Sequence, residues 1–179
     1  NRCSKIYKHE QYEEPMIYGI TKQILDALSP FLSEEDVEIT AEKHILDDGS
    51  APEYGDKVIL DKENNVWFEV FENEIVLFYF TDHEHFDDYM ERPRDGEPDY
   101  VERATDFLQR LFTLELRKTE TVAGSDMLKV EYAFVFPDGS AEFLGGTWKQ
   151  IADAEPRNEV CVSTWKFDKA QKKFSQKTE

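Results

Sequence analysis

Apolar residues recur at Ile17, Ile20, Ile24, Leu28 and Phe31, the three-and-four spacing that lines one face of a helix. Pro15 suits the first turn of such a helix and Ser29-Pro30 opposes its continuation, so the pattern predicts an amphipathic helix of about four turns. The period then changes. In "VEITAEKHIL", Val37, Ile39 and Ala41 alternate with Glu38, Thr40 and Glu42, as in a half-buried strand. Past the acidic, glycine-containing loop "DDGSAPEYGD" come three closely spaced strand candidates, residues 57 to 60, 66 to 71 and 75 to 80. Their separators are short and polar, which points to antiparallel hairpins. The third, "IVLFYF", is apolar on both faces and reads as a central strand.

The same order then recurs. Asp99 and Glu102 have the spacing of a helix-capping box, and Val101, Ala104, Leu108, Leu111 and Phe112 mark one face of the helix that follows. Strands are predicted over residues 114 to 120, 128 to 136, 141 to 144 and 160 to 167, with "PDG" at 137 to 139 forming a turn and "FLGGTW" a bulge or sharp turn. Helix, strands, helix, strands without a residue-level repeat fits an α+β domain with a largely antiparallel sheet and two helices packed on it. The expectation is one domain over residues 1 to 179, with residues 1 to 12 a loose N-terminal segment; division near "RPRDGEP" would leave two units of marginal size.

Composition adds little except in its charge. Hydrophobic residues are 40% of the 179 and no apolar run is long enough to span a membrane, so a globular chain is expected. Cys3 and Cys161 fit no paired-cysteine motif, which suggests free thiols and a cytoplasmic location. The net charge of -18 is unevenly spread: residues 31 to 100 carry 22 acidic against 5 basic side chains, whereas residues 160 to 179 hold five lysines and two acids. Direct nucleic-acid binding and anionic membranes are thereby disfavoured, and a cationic protein partner is favoured. The plainer alternative is a solvated acidic surface that keeps the chain soluble.

Candidate chemistry concentrates in "DHEHFDD", residues 82 to 88. His83 and His85 would share one face of an extended segment, and Asp87, Asp88 or the distant His44 could complete a metal centre. The stretch superficially resembles the H-x-H-x-D-H signature of the metallo-β-lactamase superfamily. Asp88 stands where the last histidine would be, no histidine follows it, and that superfamily's sandwich is larger, so the resemblance is set aside. Calcium loops, phosphate-binding glycine motifs and nucleophile elbows are absent, and Cys161 reads as a structural strand residue. No cofactor is expected.

The preferred reading is therefore a non-enzymatic binding module, of the inhibitor or immunity type, that neutralises a cationic partner such as a bacterial nuclease toxin. Residues 82 to 99 read as an acidic connection in which Asp82, Glu84, Asp87, Asp88 and Glu91 pair with basic groups while Phe86 and Tyr89 supply desolvated anchors. The alternatives are a metal-dependent enzyme built on His83, His85 and nearby carboxylates, and a structural subunit or small-ligand binder.

Overall fold

A computed structural model describes residues 19–44, 53–87, 96–123, 126–148 and 159–177. The first helical pattern becomes α1 (Gly19–Leu28), whose Ile24 and Leu28 are fully enclosed. A single 3-10 turn (Glu34–Asp36) leads into a meander of five antiparallel strands: β1 (Glu38–His44), β2 (Glu53–Asp61), β3 (Val66–Val70), β4 (Glu74–Tyr79) and β5 (Asp82–Asp87). Helix α2 (Tyr100–Thr113) follows. The Asp99 carboxylate accepts from the Glu102 amide at 2.8 Å and the Glu102 carboxylate accepts from the Asp99 amide at 3.1 Å, the capping box that the spacing announces. The five apolar positions of the predicted stripe are the five buried residues of α2.

The second half forms a separate sheet in the order β10-β9-β6-β7-β8, from β6 (Glu115–Ala123), β7 (Asp126–Val135), β8 (Ala141–Trp148), β9 (Glu159–Asp168) and β10 (Lys173–Gln176). The fold is thus α+β and mostly strand. It holds two antiparallel sheets where a single sheet carrying both helices was expected. The reason lies in α2, which touches β4 and β5 of the first sheet, β9 of the second, and α1. Its stripe joins a cluster containing Phe68 and Leu77 from one sheet and Leu116, Phe134 and Phe174 from the other. Each sheet buries one face against shared side chains, so neither needs to extend into the other. The double glycine of "FLGGTW" lies inside β8, beside a register shift opposite Tyr132 and Ala133, as a bulge.

β10 escapes sequence reading because it is four residues long with one buried side chain, Phe174. Its position is set by Asp61, a buried carboxylate at the end of β2. Asp61 accepts from the Phe174 amide at 2.6 Å, from the Asn64 amide at 3.1 Å and from Asn64 Nδ2 at 2.8 Å; that same nitrogen donates to the Phe174 carbonyl at 2.9 Å. Flanking lysines reinforce the junction. Lys173 pairs with Glu63 at 3.0 Å, and Lys172 donates to the Phe31 carbonyl at 2.8 Å while approaching Asp36 at 3.7 Å.

Replacing a buried acceptor strands its donors without water. Asp61→Ala is expected to cost about 3 kcal/mol and to lower the melting temperature by roughly 6–12 °C, measured by urea and thermal unfolding.

Candidate functional site

The segment read as an acidic connection is a strand. Phe80 and Thr81 alone join β4 to β5, and Phe80 carries the positive φ of 56° that a two-residue hairpin turn requires. Such turns normally announce themselves by glycine or asparagine, and Phe80 gives no such sign. Its ring explains the choice: it packs against Trp165 at 5.0 Å, Phe174 at 5.9 Å and Tyr132 at 6.1 Å, and Thr81 Oγ1 shares a 2.8 Å hydrogen bond with the Tyr132 hydroxyl. Packing between the sheets holds a backbone conformation that local propensity disfavours.

Strand alternation then divides the proposed patch in two. Register pairs Asp82 with Tyr79, Glu84 with Leu77 and Phe86 with Ile75, placing these three β5 side chains on the core-facing side of the first sheet. His83, His85 and Asp87 point the other way. Asp88, Tyr89 and Glu91 lie outside the described residues, as does the "DDGS" loop. Phe86 is a half-buried ring packed on Phe107 of α2 at 5.8 Å, so it supports the helix and is not a protruding anchor. Beside it a groove of about 760 Å³ runs along α2, bounded by Glu97, Glu102 and Asp106 and by Arg103 and Arg110. Both arginines are engaged: Arg103 donates to the Asp87 carbonyl at 2.6 Å, and Arg110 pairs with Glu142.

On the outer face, His83 stacks on Phe78 at 5.6 Å and meets His85 at 5.1 Å, centroid to centroid. His85 Nδ1 lies 2.5 Å from Glu74. Among the described residues no three histidine, cysteine, aspartate or glutamate side chains converge as metal ligands. His44 stands on β1 and His83 on β5, opposite edges of the sheet, four interstrand steps or about 19 Å apart. The sequence grouped them by residue type; the meander separates them. Cys161 lies in β9 but is exposed, so it fills no core position.

The inner face holds the less ordinary arrangement. Asp82 Oδ1 accepts from the His83 amide at 3.0 Å, while Asp82 Oδ2 is enclosed without a hydrogen-bond partner. The Tyr79 side chain is fully buried and its hydroxyl also lacks an aligned partner. Burial first, and the neighbouring Asp82 and Glu84 carboxylates second, push its pKa well up, so the hydroxyl stays protonated. Burial likewise raises the Glu84 pKa, with Asp82 adding like-charge repulsion, against weaker opposing effects of the Tyr79 hydroxyl and His85. No lysine or arginine contributes to holding Glu84 ionised. Lys118, whose charge reaches Tyr132, is taken by Glu120 at 2.8 Å.

β8 completes the enclosure. Its Gly145 presents no side chain to β5, and a Cβ built there would lie 3.5 Å from Asp82 Oδ2 and 3.7 Å from Glu84 Oε1. Bare backbone at Gly145 therefore faces the two carboxylates, with room for no more than a methyl group between them. Charge and alternation were both visible in the sequence, but not the pairing of Asp82 and Glu84 with Tyr79 and Gly145, because that depends on a turn without turn residues and on an approach between two sheets. Among the described residues no helix is long and apolar enough to cross a membrane. No protein-family model, curated protein or solved structure matches the chain.

A carboxyl with a raised folded pKa binds more protons folded than unfolded, so its contribution to stability falls as pH rises from its ordinary value through the raised one. Glu84→Gln removes that cost. The variant is expected to melt higher than the parent at pH 7, with the difference vanishing below pH 4, as scanning calorimetry across pH would show. For the outer face, elemental analysis of protein purified without an affinity tag is expected to find only substoichiometric zinc, iron and manganese.

Proposed function

We propose that this chain is an acidic, non-enzymatic binding module that docks a cationic protein through β5 and its surroundings. The observation that carries the reading is the inner pair: Asp82 Oδ2 has no hydrogen-bond partner, and burial and the Asp82 charge hold Glu84 above its ordinary pKa, with no lysine or arginine acting on it and only weaker opposing effects from the Tyr79 hydroxyl and His85. Several acids elsewhere are paired with lysines. Glu69 is held by Lys57 at 3.1 Å, Glu63 by Lys173 at 3.0 Å and Glu115 by Lys177 at 2.9 Å. The lysine-rich C-terminal hairpin therefore neutralises acids at its own end of the molecule and leaves β5 uncovered by charge.

Desolvated like charges are unfavourable alone and become favourable when a cation arrives, which is the energetic signature of a docking centre. The excess of acids over residues 31 to 100 supplies the longer-range field that steers a basic protein toward that centre. The partner chemistry that fits is a protein with a phosphate-binding cleft of lysines and arginines, and an inhibitor of a bacterial nuclease toxin is its most concrete form. Inward-pointing carboxylates on a terminal strand also discourage edge-to-edge pairing between molecules. That role requires no buried tyrosine hydroxyl beside them.

The test is association with a basic nuclease domain encoded beside this chain's gene. Nuclease inhibition should weaken as salt rises, and neutralising the inner pair with Asp82→Asn and Glu84→Gln should slow association by about tenfold or more while flattening its salt dependence. An unchanged on-rate in the variant, or the absence of inhibition by the parent chain, would remove the reading.

A further inference from the structure

We propose that the open groove along α2 seats one arginine side chain of the docking partner, its guanidinium lying against Phe86 and Phe107 and pairing with Asp106 and Glu102. The inference rests on the binding-module reading and deepens it, from an acidic surface to a defined recess and one kind of side chain. At about 760 Å³ the recess has the volume of a small-ligand site. Phe86 and Phe107 belong to its lining and meet edge to face with centroids 5.8 Å apart. Both rings are only half-buried, so aromatic surface is within a partner's reach.

Charge complementarity sets the sign of the occupant. The carboxylates of Glu97, Glu102 and Asp106 line the groove against two arginines that are directed elsewhere, Arg103 to the Asp87 carbonyl at 2.6 Å and Arg110 to Glu142 on β8. The Asp106 side chain is 69% exposed and stands 3.8 Å from Arg110, beyond hydrogen-bonding distance. Glu102 spends Oε2 on the Asp99 amide, which leaves Oε1 for the groove. Arg110 itself displays the arrangement that a guest would repeat. Its guanidinium lies 4.8 Å from the Phe134 ring centroid and 5.7 Å from that of Phe136 while it pairs with the Glu142 carboxylate. One helical turn earlier, Phe107 with Phe86 supplies the rings and Asp106 the carboxylate, and the guanidinium is the part still to be supplied. A planar guanidinium stacks on a ring and presents paired N–H donors in its own plane; an ammonium ion has no flat face to do the first.

Ethylguanidinium and butylammonium are titrated at constant ionic strength into isotopically labelled protein, with the amides of Phe86, Asp106 and Phe107 as reporters in two-dimensional nuclear magnetic resonance. The same samples are then tested with a basic nuclease domain of the kind proposed. Asp106→Asn removes the pairing charge, and Phe86→Leu removes an aromatic face without altering charge. Glu35→Gln, in the 3-10 turn whose Asp36 faces Lys172, removes one acid outside the groove and controls for the general field. The expected result is a saturable shift of the three amides with ethylguanidinium and a weaker one with butylammonium. Binding of ethylguanidinium and of the nuclease domain should be about tenfold weaker in Asp106→Asn and in Phe86→Leu but not in Glu35→Gln, with melting temperatures showing every variant folded. If both groove variants bind as tightly as Glu35→Gln does, the groove is overturned and the binding-module reading stands. If the parent chain binds ethylguanidinium at these amides but no nuclease domain, the guanidinium site stands and the binding-module reading falls. If it binds neither, both fall.

Discussion

A single buried carboxylate, Asp61, ties the last strand of the chain to the turn between β2 and β3, and much of the architecture depends on that link. By accepting the Phe174 amide at 2.6 Å it fixes β10 against the first sheet, and β10 carries with it β9 and the rest of the second sheet. The aromatic cluster of Phe112, Phe167 and Phe174 closes beneath it, with centroid separations of 4.4 to 5.5 Å. Hydrogen bonds supply direction and aromatic packing supplies most of the favourable burial. With the sheets held in this relation, Trp165, Phe174 and Tyr132 form the box that accepts Phe80, and the β4–β5 turn follows.

The same link arranges the charge. Lysines on the terminal hairpin reach Asp36 and Glu63, so the part of the first sheet nearest the junction is internally compensated. β5, at the opposite edge, lies against β8, whose facing Gly145 brings no charge of its own. The net charge of -18 is thus less informative than where it goes unanswered. An acid paired across a surface contributes little in either direction, whereas a desolvated pair without a cation is a standing cost that a partner can relieve.

Periodicity was a reliable guide wherever local sequence and tertiary packing agreed. The α2 stripe from Val101 to Phe112 and the Asp99–Glu102 capping box were both readable, since helix geometry alone fixes them. β5 was not, because Phe80 occupies a turn position that rewards glycine and because "DHEHFDD" looks too polar for a strand. Its polarity makes sense only at a sheet edge, where one side faces solvent and the other faces a second sheet. Grouping His83 with His85 was correct for an extended segment, while adding His44 failed because a five-stranded meander sets β1 and β5 furthest apart. The docking patch was assembled from neighbours in sequence, and strand alternation assigns Asp82, Glu84 and Phe86 to a different face from Asp87.

The most direct test of the proposed cation-docking centre on β5 is amide hydrogen exchange of the intact chain, free and in the presence of a basic nuclease domain of the kind proposed. Binding at this centre predicts added protection concentrated in β5 and in β8 around Gly145, with the β2–β3 turn and β10 unchanged. Protection confined to the β1–β2 side of the first sheet, or to the lysine-bearing hairpin, would contradict it.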